Sequence, residues 1–193
     1  LMDDIGNFIE QAKIRYPKTP VFLYGHSLGG NLVLNYALRV HPKIKGVIAS
    51  SPWLKLPFEP LVNKVDTLDP AWFFPAQRIR DARSIQDKSV VEAYENDPLV
   101  HDKISAKLFL STYEAANWAL EHASEFPLPL LMFHGTGDRI CGVEGTREFA
   151  EAAFQKTEAN YFDGWYHETH NETDKAVIFE TIITWLDSQW HDI

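Results

Sequence analysis

Sulfur is scarce in this sequence. Cys141 is the only cysteine among 193 residues, which excludes an internal disulfide and leaves no basis for a thiolate metal site. Long apolar runs are missing too, since none reaches the roughly 18 residues that a membrane-spanning helix needs. Basic residues are the minority, 18 against 27 acidic ones, for a formal net charge of −9. That balance argues against a nucleic-acid partner and against electrostatic docking on an anionic membrane. No repeat or low-complexity stretch divides the chain, so its length suits one domain with a substantial core. No signal-like segment opens it, and localisation cannot be read from a targeting signal. Cytoplasmic or peripheral-membrane placement is the default expectation.

What is present is organised around residues 21–30, Val-Phe-Leu-Tyr-Gly-His-Ser-Leu-Gly-Gly. Four apolar residues read as a short buried strand, and a helical pattern follows over Asn31–Val40. Between them lies Gly25-His26-Ser27-Leu28-Gly29, a Gly-x-Ser-x-Gly in the strand, sharp turn and helix context of a nucleophile elbow. Glycines at 25 and 29 are expected to leave room for a turn that a side chain would block. Ser27 should then sit in a strained backbone conformation with its hydroxyl clear of the sheet edge. The helix behind it aims unpaired N–H groups at the same spot, which makes the N–H of Leu28 a candidate oxyanion donor.

The rest of the chain sets this turn in a larger pattern. Residues 2–16 place Ile5, Phe8, Ile9, Ala12 and Tyr16 at helical spacing, and Lys45–Ser51 reads as a second buried strand. Helix, strand, helix, strand implies parallel strands with helical crossovers. Residues 52–127 break the rhythm with recurring prolines and clustered aromatics, and are expected to form a helical cap with helices near 80–96 and 105–124. Leu128–His134 then predicts a third strand, followed by a helix that turns Val143, Phe149, Ala150, Ala153 and Phe154 inward. Asn160–Phe162 predicts a fourth strand. A last helix over 174–190 is expected to bury Ala176, Val177, Phe179, Ile182, Ile183 and Leu186. The core thus comprises 1–51 and 128–193, with 52–127 as a lid.

A serine hydroxyl attacks well only when an imidazole takes its proton and a carboxylate orients and stabilises that imidazole. Asp138 follows the third strand and His167 the fourth. Both therefore fall beyond carboxyl ends of parallel strands, the edge where ligands bind. Asp97, before a proline, reads as a turn cap, and Asp163 as a loop residue that positions His167. His134 closes a strand and should be buried. His170 is the nearest competitor of His167. The run His167-Glu168-Thr169-His170 lacks metalloprotease spacing and follows a strand, so no metal is expected.

Gly25–Gly30, Tyr94-Glu-Asn-Asp-Pro-Leu99, His134-Gly-Thr-Gly-Asp-Arg-Ile-Cys141 and Phe162-Asp-Gly-Trp-Tyr-His167 resemble the monoacylglycerol lipase and lysophospholipase branch of the α/β-hydrolases. That branch is often labelled serine aminopeptidase-like. The resemblance implies a three-layer α/β-hydrolase fold with a parallel sheet and a helical cap, Ser27 as nucleophile, Asp138 as acid and His167 as base. It further implies no cofactor and a small-molecule acyl ester substrate that contacts His26, Trp53, Leu54 and Cys141. The apolar cap is expected to touch a membrane or micelle transiently. The family domain has further sheet strands before this point, with a His-Gly loop that supplies the second oxyanion N–H. The strand at 21–24 is then expected to leave an unpaired edge, and the chain either to lack catalytic competence on its own or to be completed by a separate chain carrying those strands. Ester hydrolysis is the favoured activity. Aminopeptidase activity, with Glu59, Asp66 or Asp69 anchoring an amine, and a non-catalytic binding protein stand as alternatives.

Overall fold

The computed structural model describes residues 1–58, 73–75, 88–100 and 103–190. Helix α1 (Met2–Arg15) leads into β1 (Phe22–His26), α2 (Leu28–Val40) and β2 (Gly46–Ser50). After the segment expected to be a lid come β5 (Leu130–Gly135), α5 (Val143–Ala152), β6 (Thr157–Phe162) and α6 (Ala176–Trp190). The strands form a parallel sheet in the order β1-β2-β5-β6. Each central strand is apolar without alternation because both faces are covered, and β2 and β5 are buried at every position. One core, with Leu34, Leu130, Met132 and Phe149, lies on the α2 side, and a second, with Ile48, Leu131, Phe133, Ile178 and Trp185, on the α6 side. This is the three-layer parallel arrangement expected from the motif order. Among the described residues no helix is long and apolar enough to cross a membrane.

Within 52–127, Phe73–Pro75 (β3) and Lys103–Ser105 (β4) pair as an antiparallel ribbon that the sequence reading did not anticipate. Three-residue strands are too short to show a period of two. Helices α3 (Lys88–Asn96) and α4 (Ala106–Glu121) fall inside the segments expected to be helical. Helix α4 packs on α2: Asn31 Nδ2 donates to Thr112 O, Asn35 Nδ2 donates to Ala115 O, and Ala116, Ala119 and Phe126 are core residues.

Three expectations of burial fail at the flanks. In α1 only Ile9 is buried, and Phe8 is 76% exposed. In α6 the buried residues are Ile178 and Trp185, while Val177, Phe179 and Ile183 are exposed. Phe154 lies just past α5 and is also exposed. Apolar residues surround most of α6, so periodicity alone does not choose a face. The sheet chooses it through Trp185, whose ring meets that of Phe22 edge-on at 5.8 Å. As expected, β1 is an edge of the sheet, and its Tyr24 is exposed there.

The elbow obeys its glycines only in part. A Cβ on Gly25 would lie 2.2 Å from Gly29 O, and one on Gly30 would lie 2.8 Å from Pro52 Cα, yet a Cβ on Gly29 meets nothing within 4 Å. The tight approach is therefore made at 25 and 30, not at 29 as the motif suggested. Gly25→Ala should lower stability by about 3 kcal/mol or more through overpacking against backbone. Gly29→Ala should stay within about 1 kcal/mol of the parent, since it only exchanges a helical glycine for alanine. Denaturant midpoints of the two variants check the contrast.

Candidate active site

Ser27 joins the end of β1 to the start of α2 with φ 55° and ψ −117°. Such a backbone costs about 1–3 kcal/mol and persists only when its surroundings hold it. Here they hold it from both sides. The Ser27 N–H donates to Ser50 O at 2.9 Å, and Ser27 O accepts from Trp53 N at 2.9 Å and Asn31 N at 3.1 Å. Among the described residues no acceptor reaches the Leu28 N–H, so the first turn of α2 presents a free donor and its positive dipole end beside Ser27.

The loops after β5 and β6 meet at Asp138. His167 Nδ1 lies 2.7 Å from Asp138 Oδ2, with both side chains nearly fully buried. An ionised carboxylate only accepts, so Nδ1 carries the proton and Nε2 of the neutral ring keeps its lone pair for a substrate or a serine hydroxyl. His134 Nε2 donates to the same Oδ2 at 2.9 Å while its Nδ1 faces Thr146 Oγ1 at 2.6 Å. The other oxygen, Oδ1, accepts from the Ile140 and Cys141 N–H groups at 2.7 and 3.1 Å. Burial alone would raise the Asp138 pKa. The hydrogen bonds from His134 and His167, together with their charge, outweigh it and hold the carboxyl well below its usual range.

Several residues that shape this site carry no motif. Ser51 is fully buried with φ 41°, and its hydroxyl donates to His167 O at 2.9 Å. Its N–H donates to Phe133 O, tying the end of β2 to β5. Glu172 is buried and accepts from Tyr166 N at 2.8 Å, bracing the loop just before His167. A Ser-Ser-Pro at a strand end was the only hint of the first. Nothing in the sequence pointed to the second.

The remaining candidates are placed as follows. His26 lies beside His167, with ring centroids 4.7 Å apart, and its Nδ1 is 3.0 Å from Ser50 Oγ. Trp53 is partly exposed and meets the Phe109 ring edge-on, whereas Leu54, expected to contact substrate, is 1% exposed and packs into the core. It also lines the cleft between the segment after β2 and helix α4. Cys141 is also buried. Burial pushes its thiol well up, the Asp138 charge adds to this, and a hydrogen bond with the Ser27 side chain opposes it. Among the described residues the Ser27 hydroxyl makes no hydrogen bond to the His167 ring, so pairing them requires the serine side chain to turn away from Cys141. Asp97 Oδ1 accepts from Leu99 N, the turn role expected of it, whereas Asp163 Oδ1 accepts from Thr136 Oγ1 and so links the loops after β5 and β6 instead of bonding to His167. His170 packs against the rings of Tyr24, His26 and Phe133 instead of facing Asp138. Glu59, Asp66 and Asp69 lie outside the described residues.

The depressed Asp138 pKa has a definite consequence for stability. Between the folded-state value and the unfolded value near 3.8, the unfolded chain binds a proton that the folded chain does not. The stabilisation is therefore complete above the unfolded pKa and is lost as pH falls through the folded one. Asp138→Asn should remove this part of the acid dependence. Unfolding free energies measured from pH 6 down to pH 3 should fall less steeply in the variant than in the parent.

Comparison with known proteins agrees with this architecture. Residues 1–174 match the family model described as serine aminopeptidase, S33. A monoacylglycerol lipase of Mycolicibacterium smegmatis is 27% identical, covering 97% of this chain and 69% of that protein. The crystal structure of the Paleococcus ferrophilus monoacylglycerol lipase superposes with a TM-score of 0.86 at 33% identity, covering 97% of this chain and 74% of that one. A Schizosaccharomyces pombe relative is 32% identical over 86% of this chain, yet the chain spans only 47% of that protein. The chain thus spans about half of some curated relatives and about two thirds of others. It belongs to the serine aminopeptidase S33 family of the α/β-hydrolases, in the branch that resembles monoacylglycerol lipases.

Proposed function

We propose that this chain carries the nucleophile, acid and base of a serine hydrolase that cleaves carboxylic esters of single-chain lipids, monoacylglycerols or lysophospholipids, through an acyl-enzyme. One observation carries the reading: a serine in a left-handed backbone conformation shares a sheet edge with a buried Asp138–His167 pair. Ser27 attacks the ester carbonyl while His167 Nε2 takes its proton. Asp138 stabilises the resulting imidazolium, and the Leu28 N–H binds the developing oxyanion. His167 then protonates the leaving alcohol, activates water against the acyl-enzyme, and returns the proton to Ser27. A second oxyanion donor is assigned to a His-Gly loop on strands beside the β1 edge, from the same polypeptide or a separate one.

The lipid preference rests on two supports. The segment after β2 and helix α4 form an open cleft whose walls combine Leu54, Leu56, Pro57, Phe58 and Tyr113 with the polar Lys55 and Asn117. Relatives of which this chain spans 69–74% carry the names monoacylglycerol lipase and phospholipase. Residues 52–127 are proposed to cover the site as a lid. Turnover of p-nitrophenyl esters should rise from acetate to medium chains. A peak at acetate removes the lipid reading, and turnover of aminoacyl p-nitroanilides in place of esters favours the aminopeptidase one. Asp138→Asn should lower kcat by about 10⁴-fold, because His167 would lose the partner that sets its tautomer. A loss below tenfold contradicts the assigned acid.

A further inference from the structure

Three side chains at the carboxyl edge of the sheet each offer one metal-ligand atom to a common point. They are His26, His167 and Glu168, with the three atoms all within 4.8 Å of one another. His26 Nε2 is shielded from solvent yet has no hydrogen-bond partner, and Glu168 Oε1 stands 3.4 Å from it in ion-pair but not hydrogen-bond geometry. None of the three is a surface group, their side chains being between 4% and 22% exposed.

The surroundings are those of metal-binding imidazoles. Such histidines hold their second ring nitrogen on a carboxylate or another polar group, which orients the ring and raises its basicity. His167 Nδ1 is on Asp138 Oδ2, and His26 Nδ1 is on Ser50 Oγ, which itself lies 3.3 Å from Thr169 Oγ1. Glu168 also accepts from Asn171 Nδ2 at 3.4 Å. Two imidazoles and one carboxylate suit zinc and its neighbours better than magnesium or calcium. Zinc–ligand bonds of about 2.0–2.2 Å in tetrahedral geometry require ligand atoms roughly 3.4 Å apart. The His26–Glu168 pair is already at 3.4 Å, and all three ligand atoms lie within 4.8 Å of one another.

We propose that His26, His167 and Glu168 form a binding site for a divalent cation of the zinc type, which occupies His167 Nε2 and so reversibly silences the serine. The site stands on its own geometry, whereas the silencing rests on the function proposed above. No bond in the protein is broken. The ions exchange water ligands for these three atoms, and any proton on His26 Nε2 passes to solvent.

The test is zinc titration of the purified protein in competition with a chromophoric chelator, with circular dichroism confirming that each variant folds. One zinc per chain should bind. Its affinity should fall at least about tenfold in Glu168→Gln and in His26→Gln, since loss of even an outer partner typically costs 10–100-fold. Either folded variant suffices. Binding that is absent, or unchanged in a folded variant, overturns the site. Ester turnover should stop as zinc saturates this site and return with EDTA. Saturation with full turnover overturns the silencing. Intact zinc binding in a protein with no ester turnover contradicts the proposed hydrolase activity and supports the cation site.

Discussion

The carboxylate of Asp138 is buried, ionised, and in contact with four donors: two imidazoles on one oxygen and two backbone N–H groups on the other. A charge withdrawn from water is tolerated only when its acceptor sites are filled. Filling them is what ties the loop after β5 to the loop after β6. The amides of Ile140 and Cys141 hold the acid in place within its own loop, and His134 pins it to the strand below. His167 is thereby drawn in from the neighbouring strand with its Nε2 free. The parallel sheet matters because it delivers these loops, the Ser27 turn and the strained Ser51 to one edge.

The same edge concentrates backbone strain. Ser27 and Ser51 both occupy the left-handed region, and they terminate adjacent parallel strands. Each is held by hydrogen bonds to a neighbouring strand end, Ser27 to Ser50 and Ser51 to Phe133. A sheet of ordinary buried strands therefore supplies the free energy that keeps two unfavourable turns in place. At β1 the described sheet ends. The exposed Tyr24 and the uncovered apolar residues of α1 and α6 show that this flank is less fully packed than the β2–β5 centre.

Much of this was legible in the sequence where a local physical constraint acts alone. A Gly-x-Ser-x-Gly between an apolar run and a helical pattern specifies a strand, a turn and a helix. An acid and a histidine just past strand ends are brought to one edge by parallel topology. What stayed hidden depended on packing between distant segments. The buried face of α6 follows the helical period only in part: Ile182 and Leu186 pack on the core as expected, but Trp185 against Phe22 turns Val177, Phe179 and Ile183 outward. The constraint that the motif places on Gly29 is borne by Gly30 through Pro52. The support given to Asp138 by His134, and to the His167 loop by Ser51 and Glu172, arises from contacts between strand ends that carry no sequence signature.

The central claim is that Ser27 is chemically activated by its surroundings. Reaction with a fluorophosphonate, followed by peptide mass spectrometry, tests it directly, because unactivated serines react negligibly. The account predicts rapid phosphonylation of one residue, Ser27, and its loss in His167→Ala with the fold retained. A folded, unlabelled parent protein, or labelling that persists unchanged in His167→Ala, would contradict it.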